Sequence, residues 1–158
     1  MAKKRHWLSY LAGLFDGEGC VGITKASIHP NAGQINPTYT VYMSVKMCDE
    51  AGPRLFQSFY GGQFRIYPSQ NPKWSTSYNW RVNGRFCRPI LEELLPYIVI
   101  KRPQFEVALC MLDNIRQPGS DCAHPLTNKE IVLREANYIL LKGMKGKNNK
   151  GGKKVGLR

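Results

Sequence analysis

Residues 7–15, Trp-Leu-Ser-Tyr-Leu-Ala-Gly-Leu-Phe, set Trp7, Tyr10, Leu11 and Leu14 on one helical stripe and Leu8, Ala12 and Phe15 on another. A helix apolar nearly all round has to be covered on most sides, so the pattern predicts a buried first helix. Ser9, Ala12 and Gly13 form a ridge of small residues at i, i+3 and i+4, over which another helix backbone can come close. Beyond Gly19 the pattern alternates in period two from Cys20 to Lys25. A Pro/Asn/Gly turn falls near residues 30–37, and Thr38 to Met47 is a longer β-type run, so the two strands read as a hairpin.

Asp49 then caps a helix with Pro53 in its first turns and Leu55, Phe56 and Phe59 directed inward, which Gly61-Gly62 stops. Gln63 to Tyr67 and Ser77 to Asn83 make a second strand pair across a polar loop containing Pro68 and Pro72. Pro89 opens a helix through Leu95 that Pro96 closes, and a further helix runs from Pro103 to about Arg116. The box Thr127-x-x-Glu130 caps a last one holding Ile131, Val132, Ala136, Ile139 and Leu140. The order is αββαββα with two helices added, an α+β domain over residues 1–141. From Lys142 onward Lys, Gly and Asn dominate and burial cannot offset ordering entropy, so residues 142–158 are expected to form a flexible basic tail.

Composition bounds the reading without choosing it. With 158 residues and 42% hydrophobic, the chain can bury one substantial core. The absence of an 18-residue apolar run and of a small-residue cleavage site near the N-terminus predicts a soluble, intracellular protein with no membrane partner. Cys20, Cys48, Cys87, Cys110 and Cys122 stand singly, without C-x-x-C spacing for zinc, and are expected to be mostly reduced, buried packing residues. Cys110 and Cys122 flank a Pro-Gly turn that a bridge could close, against which an intracellular setting argues.

The net charge of +12 attracts polyanions. Lys142, Lys145, Lys147, Lys150, Lys153, Lys154 and Arg158 supply seven of the bases with no acid among them, leaving 16 bases against 11 acids in residues 1–141. The body is only moderately basic.

The chemistry is carried by Leu11-Ala12-Gly13-Leu14-Phe15-Asp16-Gly17-Glu18-Gly19. These nine residues resemble the LAGLIDADG motif of homing endonucleases and related RNA maturases. The resemblance extends over roughly residues 7–115 through the order of elements, and it implies the LAGLIDADG homing endonuclease-like fold with a curved antiparallel DNA-binding sheet. A single copy of the motif implies a homodimer whose motif helices meet through Ser9, Ala12 and Gly13. Glu18 matches the metal-binding acid, with the backbone carbonyl of Gly17 beside it, and the implied cofactor is Mg2+, with Mn2+ or Ca2+ able to occupy the same sites. Most members carry Asp where this chain has Glu18, and both are hard oxygen donors. Asp16 matches a residue that serves helix termination and packing. Leu95 to Gln104 resembles the segment that brings a lysine to the active site, which makes Lys101 the second catalytic residue. A glutamine that the family often places at the end of the second strand to organise water is Met47 here, leaving that role vacant or passing it to Lys46, Asp49 or Arg54.

Alternation selects the residues that would read DNA in the major groove. On the second strand Thr38, Thr40, Tyr42, Ser44 and Lys46 share a polar face, opposite the apolar Tyr39, Val41, Met43 and Val45. Thr24 and Lys25 join them from the first strand, Arg65 and Tyr67 from the third, and Asn79, Arg81 and Asn83 from the fourth. The resemblance implies a site-specific, divalent-metal-dependent endonuclease that cuts a long pseudo-palindromic double-stranded site to leave 3′ overhangs and promotes intron mobility. Two other uses of such a fold are an RNA maturase, with RNA as its partner, and a DNA-binding regulator without catalysis.

Overall fold

The computed structural model describes residues 2–26, 36–116 and 125–146. Most of the turn expected near residues 30–37, and Cys122, lie outside them. Helix α1 spans Ala2–Glu18 and passes without a loop into β1, Gly19–Ala26. Then follow β2 (Thr38–Met47), α2 (Ala51–Tyr60), β3 (Gln63–Tyr67), β4 (Ser77–Asn83), a short 3-10 turn at Gly84–Phe86, α3 (Cys87–Leu94), α4 (Arg102–Asp113) and α5 (Asn128–Gly146). The predicted α+β order is the observed one.

The four strands form one antiparallel sheet in the order β1-β2-β4-β3, so the two expected strand pairs are joined edge to edge through β2 and β4. Helices cover one face. Val21, Ile23, Tyr39, Val41, Met43, Val45, Trp80 and Val82 are buried against Leu8, Leu11, Phe15, Phe56, Leu91 and Phe105. Phe15 is the hub: its ring meets Phe56 at 6.0 Å and Phe105 at 5.4 Å, and Phe56 in turn lies 4.8 Å from Trp80. Removing one such ring costs about 3–5 kcal/mol through lost transfer energy and the cavity left behind.

Two glycines make the geometry possible. A Cβ on Gly19 would lie 2.5 Å from both the ring and the carbonyl oxygen of Phe15, so only glycine lets the strand leave the helix at once. Gly62 has φ +90° and no room for a Cβ beside Val82, which lets β3 start alongside β4 after Trp80 Nε1 has tied Gly61 O at 2.7 Å.

Four expectations change. The first helix is not covered all round: Trp7 is 45% and Tyr10 55% exposed, and Phe59, expected inward, is exposed against Trp7. Ala12 is fully buried in its own chain and so cannot belong to a surface ridge, because it lies on the Leu8–Leu11–Phe15 side of the helix. Of the four cysteines described only Cys87 is buried, its thiol pushed up to about 12 by desolvation; Cys20 is half-buried, and Cys48 and Cys110 are exposed, with Cys110 a free thiol. Finally, α5 runs on to Gly146, five residues beyond the expected end of the domain at residue 141. The capping box forms, with Thr127 N donating to Glu130 Oε2 at 2.8 Å, and Leu141 is buried near the far end. Residues 147–158 lie outside the described part. Among the described residues no helix is long and apolar enough to cross a membrane.

Candidate functional site

The register brings the end of α1 and the open face of the sheet together. Gly19, directly after Glu18, pairs with Val45; Met47 pairs with Tyr78 and Tyr67 with Ser77. Glu18, the end of β2 and the β3–β4 connection therefore lie at one end of the sheet. Glu18 is exposed as the last residue of α1. The carbonyls of a final helical turn lack partners within the helix and carry the negative end of its dipole, so a carboxylate here is placed where a cation relieves the repulsion.

Asp16 has another task. Its carboxylate accepts the backbone N–H groups of Val99 at 2.8 Å, Ile100 at 3.2 Å and Lys101 at 2.9 Å, which fastens the approach to α4 onto α1. The same fastening carries in Lys101, whose ammonium donates to the carbonyl oxygen of Asp16. Burial lowers the Lys101 pKa below the usual lysine value, while the charges of Asp16, Cys20 and Glu18 act to hold it up. Glu18 and Lys101, 83 positions apart in the sequence, thus share the end of α1.

Among the described residues no group of three or more His, Cys, Asp and Glu could hold a metal by itself. One chain offers the Glu18 carboxylate and the Gly17 carbonyl at the negative end of a helix, a hard-oxygen donor set suited to Mg2+, Mn2+ or Ca2+ but needing further oxygens from water, phosphate or a second chain.

On the sheet, eleven of the twelve residues expected to share a face do so. Residues paired across an antiparallel ladder point the same way, and the pairs Thr24↔Thr40, Tyr42↔Asn83, Ser44↔Arg81, Lys46↔Asn79, Arg65↔Asn79 and Tyr67↔Ser77 carry Thr38 with them along β2. Arg81 stacks over Tyr42 at 4.1 Å, and Lys46 over Tyr67 at 5.1 Å. Lys25 is the exception. It pairs with Tyr39, on the helix side, where its ammonium meets Glu135 of α5 at 2.7 Å. Alternation had already placed it one residue off from Thr24.

Met47 also points to the helix side, its sulfur filling the space above Gly52. Asp49 is used by the N–H of Ala51 at 2.8 Å, and Arg54 by Glu50 at 3.2 Å and the Phe64 ring at 4.3 Å. Of the three residues that stood beside Met47, Lys46 is the one on the open face.

Sequence reading missed one side chain here. Lys145, assigned to the tail, reaches over edge strand β1 to place its ammonium 3.1 Å from Cys20 Sγ and 3.2 Å from Tyr42 OH. A Cβ at Gly22 would lie 2.3 Å from that nitrogen, so the glycine keeps the slot open. The signal was present as Arg134, Tyr138, Leu141 and Lys145, a helical stripe that low hydrophobicity beyond Lys142 obscured.

The outer side of α1 presents Trp7, Ser9, Tyr10, Gly13 and Gly17, and a Cβ added at either glycine would meet nothing within 4 Å. Ser9 and Gly13 keep their expected place there; Gly17 takes the place expected for Ala12.

No family model matches the sequence, and no curated protein matches it significantly. Solved structures do. The homing endonuclease I-CvuI, in complex with its target in the presence of Ca, superposes with a TM-score of 0.67 at 20% identity over 99% of this chain and 90% of that one. The archaeal intron-encoded homing endonuclease I-Vdi141I, complexed with DNA, gives 0.65 at 13% identity over 97% and 91%. The LAGLIDADG homing endonuclease I-SmaMI bound to cleaved DNA gives 0.60 at 17% identity, over 82% of this chain and 41% of that one. The chain therefore has the fold of the LAGLIDADG homing endonucleases, and the nine residues that resemble their motif lie where the helix ends in Glu18.

Proposed function

We propose that this chain is a site-specific, divalent-metal-dependent DNA endonuclease that works as a homodimer. One observation carries the reading: an exposed carboxylate at a helix C-terminus, with a half-buried lysine beside it, stands at the end of a sheet whose open face is lined with Arg, Lys, Asn, Thr and Tyr.

Each residue then has a task. The open face holds the duplex by its groove, with Arg65, Arg81 and Lys46 supplying charge and Asn79, Asn83, Thr24, Thr38, Thr40 and Ser44 supplying donors and acceptors for base edges. Glu18 and the Gly17 carbonyl would hold Mg2+, Mn2+ or Ca2+. Such an ion supplies Lewis acidity and a water of lowered pKa. Lys101 offers an ammonium to the charge that develops on the phosphate, from a position fixed by Asp16. Lys145 adds a second cation from the far side of β1.

One chain supplies one acid, and two strands need two. The outer side of α1, smooth at Gly13 and Gly17 and apolar at Trp7 and Tyr10, suits an isologous contact with a second copy that sets two Glu18 residues side by side. That a chain about twice as long, I-SmaMI, matches over 41% of its length supports a need for two such units. Twofold symmetry would make the target pseudo-palindromic, and the motif resemblance implies a cut leaving 3′ overhangs and a role in intron mobility. Met47, which leaves no water-organising amide at the end of β2, favours a second reading as a maturase or regulator that binds without cutting.

Glu18→Gln tests the choice. It keeps shape and removes the anion, so cleavage in magnesium should fall by several orders of magnitude while duplex affinity holds or rises as repulsion toward phosphate is relieved. A variant cutting at the wild-type rate removes Glu18 from the chemistry; a wild type that binds tightly and never cuts establishes the binding-only reading.

A further inference from the structure

The loop between β3 and β4 presents a side chain that neither the core nor the site above uses. Trp74 is 73% exposed, more than Trp7 or Tyr10 on the outer side of α1. It is displayed by a built turn: Ser69 Oγ donates to Asn71 O at 2.8 Å, Asn71 Oδ1 accepts Lys73 N at 3.0 Å, and Asn71 O accepts Trp74 N at 3.0 Å. Beside the indole an open hollow of about 730 Å³ is lined by Tyr67, Pro68, Pro72 and Ser77. A large apolar ring held out on a prefolded turn, 73% exposed among the described residues, suits a partner.

Charge says which kind. From Ala51 to Leu91 the sequence contains no Asp or Glu, and β3, the loop and β4 carry Arg65, Lys73 and Arg81. Lys73 precedes Trp74, and Lys46 lies over Tyr67, which lines the hollow. An aromatic ring on a loop that carries a lysine, hydroxyls and no acid of its own matches a polyanion that also offers flat faces, which is nucleic acid.

The register gives the position along that partner. Tyr67↔Ser77 closes β3 and β4 at the end of the sheet where Gly19 pairs with Val45, the end that carries Glu18. The strand order puts β3 three places from β1. At about 4.8 Å per strand this is roughly 14 Å, or about four base-pair steps of 3.4 Å.

We propose that Trp74 is a specificity-determining DNA contact, packing its indole on a base or deoxyribose within about five base pairs of the cut and making cleavage sensitive to sequence there. This rests on the duplex-binding reading above. A wedge that unstacks a step selects for steps that deform easily, so it discriminates without hydrogen bonds to base edges.

The probe is a duplex of about 30 base pairs, three helical turns, recovered from a randomised library by binding to the wild-type chain. Thymines are replaced one at a time by iodouracil, and the irradiated complex is mapped by peptide. The expected result is a cross-link to the peptide containing Trp74 from positions within about five base pairs of the cut, with Trp74→Ala binding about tenfold more weakly and Trp74→Phe regaining most of the loss. Trp74→Ala should also flatten base preference at those positions and leave the outer arms unchanged. If the duplex binds and cross-links elsewhere while Trp74→Ala binds as the wild type does, the proposal is overturned and the nuclease reading stands. Cross-linking of Trp74 to single-stranded RNA alone would overturn it in favour of an RNA contact. If no duplex binds at all, both readings fall.

Discussion

Leu8, Leu11, Ala12 and Phe15 on one side of α1, and Trp7, Tyr10, Gly13 and Gly17 on the other, are drawn from the same apolar and small residue types, yet the first four are buried and the second four exposed. The inner side is explained by what it touches within the chain. Among the described residues, the outer side has nothing within 4 Å of a Cβ at either glycine, and its aromatic rings meet one another and Phe59. On the dimer reading proposed above, this is the side on which the second copy packs. Burial thus separates residues that fold the domain from residues left free for the proposed dimer contact.

Substitutions can test that separation. The largest effect on folding should come from Phe15→Ala, which opens a cavity among Phe56, Phe105 and the sheet and should lower unfolding free energy in urea by about 3–5 kcal/mol. Adding the same side chain at adjacent positions should then give opposite phenotypes. Ala12→Leu overpacks the core and should cost about 1–3 kcal/mol of stability, with little direct effect on association. Gly13→Leu should leave the unfolding of an isolated subunit nearly unchanged, but weaken the dimer by roughly tenfold to a hundredfold in sedimentation, the same 1–3 kcal/mol now charged to the interface. If Gly13→Leu destabilises the chain and leaves its mass in solution unaltered, the outer side is misassigned.

A smaller effect concerns α5, which belongs to neither side of α1. Glu130 is held at a pKa of about 2, chiefly by Arg116 and then by Thr127. A carboxylate depressed on folding contributes stability that is complete above its unfolded value of about 4.3 and is lost as pH falls toward 2. Glu130→Gln should therefore shift thermal unfolding at neutral pH by a few degrees and remove part of the acid-side slope between those values.

Most of the fold was legible because its signals are local. Alternation in Thr38 to Met47, the Gly61-Gly62 stop and the Thr127–Glu130 box each decide one element from its own residues. Where the motif reached, the sequence also pointed to one end of α1: Lys101 is carried to the helix end that Glu18 closes, because Asp16 binds the backbone of the lysine's approach. Three errors share one cause, which is direction. Ala12, Lys25 and Phe59 each sit beside the residue with the expected environment, and helical or strand phase decides which neighbour points inward. Lys145 was missed for a different reason, since a helix fastened at Leu141 can order polar residues beyond it whose composition alone suggests a tail.

The central claim is that each chain brings one Glu18 to a site that two chains share. Mixing wild-type protein with Glu18→Gln carrying a size tag, allowing subunits to exchange, and isolating the mixed dimer tests this directly on a supercoiled plasmid bearing the selected site. The account predicts that the mixed dimer nicks one strand in magnesium and stops at open circles, while the wild type makes linear DNA and the doubly substituted dimer leaves the plasmid intact. Linear product from the mixed dimer at the wild-type rate, or cutting by a wild-type monomer, would contradict it.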